Sequence, residues 1–147
     1  MSSGRLNRRI ALLMFGAALA LASFHLLAED AAADEWKAPA RAAKKKNPVP
    51  ADEKSIAAGK EVYLKQCMSC HGTEGHGDGP AAKDLNPKPH NLGASAVVEQ
   101  TDGALFWKLT EGKKPMPSFD KLISEDERWE VINYVRTFAP PSTKPAQ

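Results

Sequence analysis

Three observations predict an all-α fold. Apolar residues recur at helical spacing in three separate segments. Start and stop chemistry brackets two of them: Ser124 and Glu127 make the pair of a capping box, and Gly112 stands where a helix should end. No stretch alternates apolar and polar residues as a half-buried strand would, and no internal repeat is present. The expected architecture is about three helices joined by long loops.

The chain opens with a segment that should not belong to that fold. Arg5, Arg8 and Arg9 precede a run free of formal charge from Ile10 to Leu27, the layout of a secretory signal peptide. The run is at the short edge of what spans a bilayer. Residues 1–28 are therefore read as a cleaved signal peptide, with an uncleaved membrane anchor as the alternative, and in either case the rest of the chain is exported. Residues 29–51 are rich in Ala, Lys and Pro, and carry Lys44-Lys45-Lys46 before Asn-Pro-Val-Pro. This composition reads as a flexible, solvated linker. A basic docking patch is the alternative for the lysine run.

The first helix is expected from about Asp52 to the cysteines, with Ile56, Gly59, Tyr63 and Gln66 on one stripe and Val62 beside it. A glycine inside a helix costs about 1 kcal/mol against alanine, so Gly59 should have a packing reason. Residues 72–95 hold five glycines and three prolines without a sustained period, which makes them a long loop. So long a loop in a small domain needs something to wrap around. Asp102 to Glu111 gives a short helix with Leu105, Phe106 and Leu109 apolar. In Lys114-Pro115-Met116-Pro117 the two prolines bar a helix and hold the chain extended. The last helix follows Ser124, turns Trp129, Ile132, Val135 and Phe138 inward, and ends at Pro140-Pro141. The acids at 125–127 suit a helix N-terminus. The folded domain is thus residues 52–140, and 141–147 is a disordered tail.

Composition excludes several classes of function. Only 7% of the chain is aromatic, so a core made from side chains alone would be thin. A domain this small often leans on a disulfide, a metal or a cofactor. Two cysteines exclude a disulfide-rich framework. Residues 52–140 carry 14 acids against 11 bases, which argues against a nucleic-acid partner, because that needs a basic face to displace counterions.

The chemistry lies in Cys67-Met68-Ser69-Cys70-His71. At about 100° per residue, Cys70 and His71 fall on either side of Cys67, and all three side chains leave one helix face. Two thiols can then add to the two vinyl groups of a haem while the adjacent imidazole reaches the iron, the pattern of covalent c-type attachment. A thioredoxin-like CxxC would sit beside a βαβ pattern, which is missing. A structural zinc would need a fourth ligand from His76 or His90. A local disulfide leaves His71 and the long loop without a role. One haem c, held by two thioethers, accounts for the thin core, the wrapping loop, the export segment and both cysteines.

The iron needs a second axial ligand. Met1 and Met14 lie in the leader, and Met68 lies inside the attachment turn. Met116 remains, fixed between Pro115 and Pro117, and a thioether opposite histidine raises the reduction potential as an electron carrier requires. His76 and His90, in glycine- and proline-rich stretches, are the alternatives.

These residues carry a family resemblance. Over residues 52–140 the chain resembles the class I, single-haem bacterial c-type cytochromes. The matching blocks are Gly59 and Tyr63 before Cys67-Met68-Ser69-Cys70-His71-Gly72; Gly75-His76-Gly77-Asp78-Gly79-Pro80; Pro115-Met116-Pro117-Ser118-Phe119; and Trp129 through Tyr134-Val135-Arg136. The resemblance implies a cytochrome c-like fold in which Gly59 lets the first helix cross the last near Val131 and Tyr134. It also implies that the Pro80 carbonyl accepts from the Nδ1–H of His71, leaving Nε2 for the iron. Asn86 to Gln100 matches no block. Trp107 is either a donor to a haem propionate or a packing residue, and Trp129 is expected in the core.

The function implied is that of an exported carrier moving one electron at a time between periplasmic redox proteins, with His71 and Met116 on the iron. It is not expected to be an enzyme, since no nucleophile–base pair or carboxylate dyad is visible and both axial positions are filled. One rival is a haem-based gas sensor or peroxidase-like enzyme with a labile sixth ligand. The other is a fixed electron-transfer subunit of a periplasmic dehydrogenase or oxidase. A membrane enters only if the leader is uncleaved.

Overall fold

Residues 36–141 are described by a computed structural model, so the expected signal peptide and the tail from residue 142 lie outside the described residues. The chain divides after Trp36 into two units, and the second begins at Lys37. The helices of this second unit are α1 (Ala40–Ala43), α2 (Glu53–Gln66), α3 (Met68–His71), α4 (Ser95–Val98), α5 (Asp102–Glu111) and α6 (Glu125–Val135). Short 3-10 turns occupy Ala82–Asp84 and Arg136–Phe138. No strand is present among the described residues. The three long helices are those expected, except that the last ends at Val135 and a 3-10 turn carries the chain on toward Pro140; α1, α3 and α4 are single turns.

Local chemistry sets the helix ends. Asp52 accepts from the Ser55 amide at 2.8 Å while Ser55 Oγ accepts from the Asp52 amide, so α2 begins with a capping box. Ser124 and Glu127 make the same reciprocal pair at the start of α6. Thr101 caps α5 through the Ala104 amide, and the helix stops at Gly112.

Helices α2 and α6 cross at Gly59. A Cβ built there falls on the Glu130 carbonyl oxygen and 2.5 Å from its carbon, so only glycine allows the two backbones to approach. Beside the crossing, Val62, Tyr63 and Val131 form one buried cluster, joined by partly buried Leu92, Tyr134 and Phe138. A second cluster joins Phe106, Trp129 and Ile132, with the Phe106 and Trp129 rings stacked 3.9 Å apart. Trp129 is core, as expected. Gln66, placed on the inward stripe by its spacing, is exposed at the end of α2.

One expectation requires correction. The segment 29–51 is not a free linker along its whole length, because Ala40–Pro50 packs onto the helices. Asn47 Nδ2 donates to Asn133 Oδ1 at 2.8 Å and to the Trp129 carbonyl at 3.3 Å. Asn133 in turn donates to Ser55 Oγ at 3.0 Å and to the Val49 and Pro50 carbonyls at 3.2 Å. Lys45 is ion-paired with Glu125 at 2.8 Å, and its Nζ lies 4.4 Å from the Phe106 ring centre. The physical reason is that Asn133, buried in α6, must satisfy its amide, and the polar backbone of this segment does so.

The stretch from Asn86 to Gln100, which matched no block, is held from the far end of the chain. Arg136 forms a salt bridge with Asp102 at 2.7 Å and donates to the carbonyls of Val98 and Gln100. Beneath it, Val97 and Val98 are buried.

Candidate haem site

The cysteine segment is a turn in which helix α2 ends and α3 begins. The Cys67 amide closes α2 on the Tyr63 carbonyl at 2.8 Å, and the His71 amide bonds the Cys67 carbonyl at 2.9 Å. The side chains of Cys67, Cys70 and His71 are therefore carried by residues of one turn, and all three are half-buried. Cys67 and Cys70 are not joined to each other by a disulfide.

The glycine-rich loop is tied to that turn by its own amides. Gly77, Gly79 and Ala81 donate to the carbonyls of His71, Cys70 and Ser69 at 2.8, 3.1 and 2.9 Å. These are carbonyls that a helix C-terminus leaves without partners. Leu92 donates to the Gly75 carbonyl at 2.7 Å and packs against the Tyr63 cluster. The loop thus gains order from the attachment turn as well as from whatever it encloses.

Tyr63, fully buried, donates from its hydroxyl to the Gly72 carbonyl at 2.6 Å and so fixes the residue after His71. Burial raises its pKa, with smaller contributions from Cys67, Tyr134 and Asp78, so the hydroxyl remains a donor. Tyr63→Phe should cost about 1–2 kcal/mol of stability by leaving a buried carbonyl unpaired, measured by denaturant unfolding of the holoprotein. An unchanged midpoint at an unchanged m-value would contradict this.

Burial also decides the protonation of the site. It lowers the His71 pKa, against a smaller opposing effect of the hydrogen bond to the His90 carbonyl, so the imidazole is neutral and its free nitrogen can bind a metal. Burial, with Cys70 nearby, pushes the Cys67 thiol up to about 12. No group of three or more His, Cys, Asp or Glu able to hold a bare metal ion occurs among the described residues. Two cysteines and a neutral imidazole carried by residues of one turn fit a haem attached at Cys67 and Cys70 and ligated by His71.

The carbonyl facing His71 Nδ1 is that of His90, at 3.3 Å, not that of Pro80. Pro80 is exposed, because its neighbours Gly79 and Ala81 both donate back to the attachment turn and draw it along the outside. His90 supplies its backbone, while His76 pairs with Glu74 at 3.4 Å on the loop surface. Trp107 is half-buried on α5.

Met116 lies half-buried in the loop after α5, its amide bonded to the Lys113 carbonyl at 2.9 Å. The loop is fastened to the end of α5 by the Phe119 amide on the Leu109 carbonyl at 2.9 Å and by Ser118 Oγ on the Thr110 carbonyl. From α6, Arg128 donates to the carbonyls of Phe119, Asp120 and Ile123 at 3.3, 3.0 and 3.2 Å. Arg128 is only 6% exposed, which explains why one guanidinium nitrogen serves three carbonyls. Sequence reasoning passed over Arg128, although a charge next to the inward Trp129 was the available signal.

Residues 54–135 match the family model described as cytochrome C oxidase, cbb3-type, subunit III. The chain belongs to the class I, single-haem c-type cytochromes. The cytochrome is 34% identical over 83 residues to cytochrome c6 of Euglena viridis, a match covering 53% of this chain and 86% of that protein. It is 31% identical over 88 residues to cytochrome c6 of Chlorolobion braunii, covering 56% and 90%. Among solved structures it resembles a chain of the reducing HAO-like protein complex of Kuenenia stuttgartiensis, with a TM-score of 0.56 and 32% identity. That match covers 63% of the cytochrome and 47% of the other chain, so the cytochrome spans about half of its length. The cofactor is a covalently bound haem c with its iron, and the protein transfers electrons.

Proposed function

We propose that this cytochrome is an exported shuttle that passes single electrons between a donor and an acceptor protein in the periplasm and catalyses no reaction of its own. The observation that supports it most is the His71 imidazole, neutral by burial and oriented by the His90 carbonyl so that Nε2 is left for the iron. Cys67 and Cys70 take the two thioethers. Met116, on a loop fastened to α5 and α6, would be the second ligand, and Trp107, half-buried on α5, would be a propionate donor. The haem iron supplies reversible one-electron chemistry between its ferric and ferrous forms. With His71 and Met116 both on the iron, no coordination position would be left for a substrate. Export rests on the basic-then-apolar leader, and no helix among the described residues is long and apolar enough to cross a membrane.

The resemblance to a chain of a protein complex favours a second reading, a subunit held permanently in a larger redox assembly. The two readings separate on purification: a shuttle elutes from a gentle periplasmic extract at its own mass, a fixed subunit with its assembly. For the chemistry, potentiometric titration should follow a one-electron Nernst curve. The haem should stay with the polypeptide through acid–acetone extraction and denaturing gels. Haem released on denaturation, or two free thiols in the purified protein, would overturn the attachment at Cys67 and Cys70.

A further inference from the structure

We propose that residues 40–50 form a strap that positions the Met116 loop through helix α5, making the sixth ligand dependent on a segment outside the haem-binding blocks. The proposal rests on Met116 as the sixth ligand only for its spectroscopic consequence.

The strap grips the N-terminal half of α5. Thr101 Oγ1 donates to the Ala43 carbonyl at 2.7 Å. At Gly103 a Cβ would collide with the Ala42 and Lys45 carbonyl oxygens and lie 2.9 Å from the Lys45 nitrogen, so strap and helix backbones touch there. One turn on, Lys45 sits over Phe106 and, at 5.2 Å, over Trp129. Val49 packs on the same Phe106–Trp129–Ile132 cluster. Asn47 closes the strap on α6 through Asn133 and the Trp129 carbonyl.

The opposite end of α5 holds the ligand loop through the Leu109 and Thr110 carbonyls. The second fastening, Arg128, also meets Phe106, with its guanidinium carbon 5.1 Å from the ring centre. Phe106 is thus touched by the strap's cation and by the cation that holds the loop. A ten-residue helix is a stiff rod of about 15 Å, so a displacement at Gly103 is carried to Leu109 rather than absorbed between them. The exposed Lys45–Glu125 pair adds little by itself. The close approach at Gly103 and the buried amide network around Asn133 are what set the position.

Gly103→Ala in the full-length holoprotein is the sharpest test, because alanine improves helix propensity and any loss must come from pushing the strap away. Asn47→Ala is the milder companion and needs no backbone shift. In both, the Met116 and Phe119 amides should exchange about tenfold faster, while the Cys67 amide that closes α2 stays at the parent rate. The weak red absorption of sulfur-ligated ferric haem should disappear on warming well before the fold melts. Lys45→Arg, which keeps a cation over both rings, should behave like the parent. If the Lys45 amide, bonded to Ala42, opens while Met116 and Phe119 are unaffected, the strap is only a local cover and the proposal fails. If the parent itself lacks the sulfur band, the Met116 reading fails, and amide exchange still judges the strap.

Discussion

Gly59→Ala is expected to destabilise the holoprotein by about 2–3 kcal/mol, although alanine is the better helix former by about 1 kcal/mol. The new methyl falls on the carbonyl of Glu130, a backbone atom inside α6 that cannot rotate away, so the two helices must separate. Separation opens the buried cluster of Val62, Tyr63 and Val131 next to the crossing. For a domain of this size the change corresponds to a fall of roughly 10–20 °C in the melting temperature. Ala57→Gly, on the exposed side of the same helix, should cost only about 1 kcal/mol, which separates helix propensity from crossing geometry. A Gly59→Ala protein that melts at or above the parent would show that the helices have slack at this point.

Met116→Ala is expected to have the largest effect on function with little effect on the fold. The side chain is half-buried, while the loop that carries it is fastened by Phe119, Ser118 and Arg128 through contacts that the substitution does not touch. The oxidised protein should lose its sulfur–iron absorption, and the ferrous form should bind CO rapidly. The reduction potential should fall on the order of 0.2 V, within the roughly 0.8 V that axial ligands span. Haem content on denaturing gels should remain that of the parent, because attachment resides in a different turn. A mutant whose spectrum and CO reactivity match the parent would remove Met116 from the iron and revive the gas-sensor reading.

These two residues differ in how they could be read. Met116 is proposed from a local pattern, because few methionines compete for the role and two prolines frame it. Gly59 was legible as an anomaly within a helix, and its partner at Glu130 became visible only when α2 and α6 were placed together. His90 was missed for the same kind of reason. A backbone carbonyl has no residue identity to recognise, and Pro80 occupied the position that the family pattern suggested. Arg128 and Asn133 were missed because charge and polarity mark exposed positions on average, whereas here Arg128 satisfies three carbonyls of residues 119–123 and Asn133 donates to the Val49 and Pro50 carbonyls and to Ser55 Oγ.

Residue patterns alone carried the helical class, the starts of the three long helices, the stop of α5 at Gly112, the haem-attachment turn and the family. Each rests on short local patterns, namely capping pairs, a glycine stop, apolar periodicity and a five-residue motif, with four such blocks in order for the family. Only the tertiary structure decided which carbonyl orients His71, what fastens the Met116 loop and whether Ala40–Pro50 is free. Asn47 and Asn133 are 86 positions apart, and Arg136 reaches Asp102 across 34. Their hydrogen bonds depend on where the whole fold brings each backbone, and composition averages over that information. A lysine- and proline-rich stretch is soluble as a linker and equally able to pack wherever a buried amide needs its carbonyls.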